Sequence, residues 1–236
     1  MVLPRLHIVL VALLLVQPAA AQARVISEPG IYHLEARQEY VVDHSHFDYL
    51  FVLAIPKEGS SISVGILDPN RTIWVIDVYR GAEGYALPQP HRDLIALGEG
   101  TLVVSDARGT YKILGPGHHL ICTPFLRRLR ELRLDVTVKG GGFHNLRAYA
   151  LLNDSRLVEI EGRRAGNDVW SGEAEPEYAV VTYIMVELDL DAEARVFLDL
   201  SGEEANTEIV GPYPVLGFVA VLGILYLLLR WLSRRY

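Results

Sequence analysis

Thr123 to Val138 reads TPFLRRLRELRLDVTV, and the fold class turns on it. Two periods compete there. Thr123 is suited to cap a helix with Pro124 at its first position, and Phe125, Leu126, Leu129 and Leu132 would then share one helical face. Against this, Leu132, Leu134, Val136 and Val138 alternate with Arg133, Asp135 and Thr137, which is the spacing of a strand with one buried face. The expectation is at most a short turn of helix, then strand.

The flanking sequence favours strand on both sides. Val, Ile, Leu, Tyr and Thr gather in runs of roughly five to nine residues between Gly, Pro, Asn and Asp. Upstream lie Gln38–Asp43, Phe47–Ile55, Ser61–Leu67 and Arg71–Tyr79, the last two read as a hairpin across Asp68-Pro69-Asn70. Residues 80–92 carry Gly81, Gly84, Pro88 and Pro90, which predicts a loop and a candidate boundary between two β subdomains. Asp93–Leu97, Thr101–Ser105 and Thr110–Leu114 read as a meander. Downstream, Phe143–Leu152, Arg156–Glu161, Tyr178–Asp189 and Ala194–Leu200 read as strands, 163–176 as a polar loop, and Ser201–Asn206 as a short polar linker. The class expected is all-β, a β-sandwich or two packed small β subdomains, with one C-terminal transmembrane helix.

That helix is expected at 209–229. Val215–Leu229, VLGFVAVLGILYLLL, has no charged side chain, and about 20 apolar residues suffice to cross a bilayer. Arg230, Arg234 and Arg235 mark 230–236 as a basic cytoplasmic tail. At the other end, 1–23 is built like a secretory signal peptide, with Arg5, the apolar run Leu6–Val16 and Ala21-Gln22-Ala23. The segment 24–208 is then an extracytoplasmic β domain. All 29 acidic residues but only 18 of the 22 basic ones lie in it, a formal charge of −11. Such a surface excludes nucleic acid as a partner. Cys122 is the single cysteine, so no intramolecular disulfide can form; its apolar neighbours predict a buried, inert thiol. Asn70-Arg71-Thr72 and Asn153-Asp154-Ser155 are sequons, making Asn70 and Asn153 candidate glycosylation sites.

One stretch carries a family resemblance. Gly98-Glu99-Gly100-Thr101-Leu102-Val103-Val104, Leu114-Gly115-Pro116-Gly117, His119, Pro124-Phe125, Arg128, Leu129 and Leu132-Arg133-Leu134-Asp135 follow one another in order. Residues 98–135 thereby resemble the start of the stomatin/prohibitin (SPFH) domain. The chain departs from the pattern by one extra residue between Gly117 and Pro124, by Arg127 where the family usually has an acid, and by the placing of its apolar span. The resemblance implies scaffolding by lateral assembly at a membrane and carries over no catalytic residue.

Three residue sets are candidates for chemistry. His44 and His46 form an H-x-H pair, which on a strand would place both rings on one face; with His118, His119 or His144 they would suit Zn²⁺, Cu²⁺ or Fe²⁺. Glu187, Asp189, Asp191 and Glu193 alternate with apolar residues and read as a solvated strand face, because a straight strand spreads its carboxylates too far apart for Ca²⁺. Arg127, Arg128, Arg130 and Arg133 form a basic interaction patch that could pair with the acidic 173–208 region. There is no G-x-S-x-G, and Gly140-Gly141-Gly142 lacks the Lys-Ser/Thr of a phosphate loop.

These features predict a non-enzymatic protein without a cofactor, on the outer face of a cell membrane. It would touch the bilayer through its C-terminal helix and assemble with other membrane or envelope proteins, or with itself. An exported metal-binding protein or metal-dependent enzyme using His44/His46 is one alternative. A carbohydrate- or peptide-binding receptor, with Trp74, Trp170 and tyrosines stacking on sugars, is the other.

Overall fold

A computed structural model describes residues 23–68, 71–88 and 91–204. The expected span at 209–229, the tail 230–236, residues 1–22 of the expected leader, and Asn70 lie outside the described residues. Among the described residues no helix is long and apolar enough to cross a membrane. Contacts divide the chain between Glu203 and Glu204, where the β body ends.

The body is all-β. Its first half supplies β1 (Arg24–Ile26), β2 (Gly30–Leu34), β3 (Tyr40–Val42), β4 (Tyr49–Pro56), β5 (Ile62–Asp68), β6 (Arg71–Val78), β7 (Glu83–Pro88), β8 (Leu94–Gly98) and β9 (Gly100–Ser105). Its second half supplies β10 (Ala107–Arg108), β11 (Tyr111–Leu114), β12 (Gly117–Lys139), β13 (Phe143–Leu152), β14 (Leu157–Glu159), β15 (Glu161–Arg164), β16 (Val169–Ala174), β17 (Val180–Leu190) and β18 (Ala194–Glu204). The only helix among the described residues is a single 3-10 turn, His44–His46.

Three sheets result. The first runs β1-β3-β8-β5-β6, the second β2-β9-β4-β7, and the third β11-β18-β12-β17-β13-β14 with β10, β15 and β16 attached beside it. Ile26, Val42, Ile62, Val64, Ile76 and Leu94 of the first sheet share one core with Leu34, Leu50, Val52, Ala54, Leu102 and Val104 of the second. The reverse face of the second sheet, through Phe51, Leu53, Ile55 and Val103, packs on Leu120, Cys122, Leu151 and Met185 of the third. The second sheet is therefore a middle layer. That is why β4, YLFVLAIP, is buried from Leu50 to Pro56 without alternation, as strands covered on both faces are.

Within Thr123 to Val138 the strand period prevails. The whole segment is part of the 23-residue β12, and no helical turn forms at Thr123. Leu129, Leu132, Leu134, Val136 and Val138 are buried, whereas Leu126, which a helix would have turned inward, is 77% exposed. Against β17 the register slips between Pro124 and Arg127. A bulge tolerates a proline, which has no backbone N–H to give to a ladder.

Four other expectations are corrected. Residues 80–92 contain β7, paired along β4 from Tyr49↔Pro88 to Ala54↔Glu83. Residues 163–176 contain β16, not only loop. The polar stretch after Leu200 continues β18 to Glu204. The predicted meander exists as strands but not as a meander, since β8, β9 and β11 belong to three different sheets. The switch from β8 to β9 occurs at Gly98-Glu99-Gly100. Gly98 has φ 129°, and a Cβ there would lie 2.0 Å from the Ser61 carbonyl oxygen, so only glycine fits.

Candidate functional sites

β3 ends at Val42, and Asp43 caps the following 3-10 turn. Its Oδ1 accepts from the Ser45 N–H at 3.0 Å and from Ser45 Oγ at 2.7 Å. The bond from the Ser45 hydroxyl, with the Ser45 amide adding to it, holds the Asp43 carboxyl below its ordinary range. On such a turn successive side chains are about 120° apart, so the rings of His44 and His46 diverge instead of sharing the face a strand would give them. His44 turns to Asp93: its Nδ1 lies 2.6 Å from Oδ1, and its backbone N–H donates to the same oxygen at 3.0 Å. His46 Nε2 lies 3.5 Å from Asp43 Oδ2. Asp43, His44 and Asp93 each offer a ligand atom, all within 4.8 Å of one another. Asp93, separated from His44 by 49 positions, is the member that no local pattern indicated.

His118, His119 and His144 do not join that group; each meets its own carboxylates. Register places His118 of β12 and His144 of β13 on either side of Asp189 of β17. His118 Nδ1 lies 2.7 Å from Asp189 Oδ1, and its Nε2 3.3 Å from Glu187 Oε1. Asn145 Nδ2 donates to Asp189 Oδ2 at 2.8 Å, and His144 Nε2 lies 2.9 Å from Asp191 Oδ1. The Asn145 and His118 bonds hold the Asp189 carboxyl below its ordinary range. Glu187 and Asp189 are thus cross-strand partners rather than a bare solvated face, while Asp191 and Glu193 follow the end of β17 at Leu190. His119 points to the other face of β12, where Nδ1 lies 2.6 Å from Asp106 Oδ2 and Nε2 lies 2.9 Å from the Gly115 carbonyl oxygen. Burial lowers the His119 pKa, but the bond to Asp106 and its charge outweigh that, and the net shift is upward.

The remaining candidates separate cleanly. Cys122 is fully buried, and burial pushes its thiol up to about 12. Arg127, Arg128 and Arg130 are exposed beside the bulge in β12. Arg127 stacks over Phe125 at 5.5 Å, Arg128 Nε donates to the Tyr178 carbonyl at 2.8 Å, and Arg133 lies 3.7 Å from Asp135. Asn153 is exposed in the turn after β13, and its Oδ1 accepts from the Val180 N–H at 3.2 Å. It borders an open groove of about 810 Å³ whose walls include Lys57, Tyr79 and Arg80.

The two tryptophans named for sugar stacking part company. Trp170 is 5% exposed. Its ring lies over Gly162 and Gly172, which face each other across β15 and β16; a Cβ at either would come within 2.4 Å of it. Trp74 is 49% exposed on β6, the edge strand of the first sheet, beside Ile73 at 39% and near Tyr79 at 66%. Its ring leans on Gly65 of β5, where a Cβ would come to 3.0 Å.

No protein-family profile matches the chain, and no curated protein matches it. The resemblance of residues 98–135 to the SPFH domain therefore rests on those residues alone. Among solved structures, a crystal structure of a Parabacteroides distasonis protein named for inferred secretion aligns at 10% identity over 74% of this chain and 83% of that one, with a TM-score of 0.25.

Proposed function

We propose that the chain is a non-enzymatic, single-pass membrane protein whose β body lies outside the cytoplasm and assembles with other envelope or membrane proteins, copies of itself included. The observation that carries the assembly reading is the apolar edge at β6, where Ile73 and Trp74 stand exposed. An edge strand offers unpaired backbone N–H and C=O groups to a partner, and an accessible tryptophan is the side chain that most often carries interface energy. The SPFH resemblance points in the same direction. Membrane placement is supported by the apolar run 209–229 followed by Arg230, Arg234 and Arg235.

Photo-cross-linking in native membranes, from a photoreactive residue replacing the exposed Tyr79 just after β6, tests this reading. Discrete adducts with membrane or envelope proteins, or with a second copy, are expected, and Ile73→Ser should weaken them. A protein that stays strictly monomeric and forms no adduct would overturn it.

A further inference from the structure

We infer that Asp43, His44 and Asp93 bind one divalent first-row transition ion, with zinc as the probe, and that His46 orients Asp43 from outside the ligand set. Around an ion with bonds of about 2.0–2.2 Å, ligand atoms are roughly 3–4.4 Å apart. The ligand atoms of Asp43, His44 and Asp93 fall within 4.8 Å of one another, and His46 Nε2 stands beside that group, 3.5 Å from Asp43 Oδ2. The 2.6 Å contact between His44 Nδ1 and Asp93 Oδ1 is a hydrogen bond. A rotation of the Asp93 carboxylate that opens it by about 1 Å admits the ion at the spacing given above. Coordination through Nδ1 leaves the neutral ring's proton on Nε2.

Asp43 is held from behind, as metal ligands usually are. The Ser45 amide and hydroxyl fix Asp43 through Oδ1, so Oδ2 faces His46. The two carboxylates bring formal negative charge that a dication offsets. The adjacent Arg92 pairs with Asp68. A mixed imidazole and carboxylate set suits Zn²⁺ or Mn²⁺ better than Ca²⁺, which takes six to eight oxygens.

The test uses the purified full chain in detergent, stripped with chelator and titrated with Zn²⁺ by calorimetry, with thermal unfolding followed in parallel. One ion per chain and a raised Tm are expected. Asp93→Asn and His44→Gln should each abolish both effects, and His46→Gln should weaken binding by roughly tenfold. The double variant His118→Gln/His144→Gln should bind as the parent does. No stoichiometric binding by the parent overturns the inference, and so does unchanged binding in Asp93→Asn, which would place the ion on another histidine group. Should Asp93→Asn or His44→Gln fail to fold, His46→Gln decides, because that side chain is 54% exposed; unchanged affinity there counts against the site.

Discussion

His119 and Asp106 meet at 2.6 Å, Nδ1 to Oδ2, with side chains only 13% and 16% exposed. The other Asp106 oxygen accepts from the Leu120 N–H at 3.0 Å. One carboxylate therefore ties the segment after β9 to both the side chain and the backbone of β12.

This pair makes stability depend on pH from the alkaline side. The His119 pKa is raised above its ordinary 6.5 in the folded state. Its contribution is fully present below the unfolded value and is lost as pH rises through the raised folded value. Asp106→Asn keeps the acceptor for Leu120 but removes the charge. It should cost about 1–3 kcal/mol below pH 6.5 and progressively less above it. Denaturant unfolding at a series of pH values checks this; a cost that does not vary with pH would contradict it.

Asp189 acts from the acid side. Bonds from Asn145 and His118 lower its pKa below the ordinary 3.8. Its contribution is present above that value and is lost as pH falls through the folded one. Asp189→Asn should therefore differ from the parent by at most about 1 kcal/mol at neutral pH, because the pair is partly solvated. The difference should close below pH 3.8. Acid unfolding of the two proteins side by side measures it.

Gly98 should tolerate no side chain. Its φ is 129° and a Cβ would strike the Ser61 backbone, so Gly98→Ala should cost about 2 kcal/mol or more. That corresponds to a fall in Tm of roughly 4–8 °C for a body of this size. Gly59, with φ 78° and nothing within 4 Å, is the control. Gly59→Ala meets only the left-handed backbone penalty, about 1 kcal/mol. Equal effects at the two positions would refute the steric explanation.

Cys122 should be silent to thiol reagents at pH 8 while the protein is folded, because its thiol is buried and pushed up to about 12. Labelling should appear only with global unfolding. Modification of the native protein would show that the packing of β12 on the middle sheet opens.

The strand content was largely written in the local sequence because alternation and turn residues are local signals. Phe143–Leu152 is β13 end to end, and the β5–β6 hairpin pairs antiparallel as Asp68-Pro69-Asn70 indicated. What local patterns miss is decided by distant neighbours. β16, VWSGEA, resembles a loop because Gly172, like Gly162 opposite it, is kept small to seat the Trp170 ring. β7 is an edge strand held by β4 and needs little apolar sequence of its own. The switch from the first sheet to the second is made at Gly98 and Gly100, where the backbone admits no side chain, and a hydrophobic period does not mark it. At the histidines, H-x-H was visible but its geometry was not. The 3-10 turn sends His44 to Asp93, a residue that only the β3–β8 pairing brings near.

Topology is tested most directly by adding protease to intact cells and following the body with an antibody. Digestion of the 24–208 region in intact cells, with only a short fragment containing 209–236 protected, is the predicted result. Survival of the body until the membrane is permeabilised would place it on the inner side and contradict the proposed function.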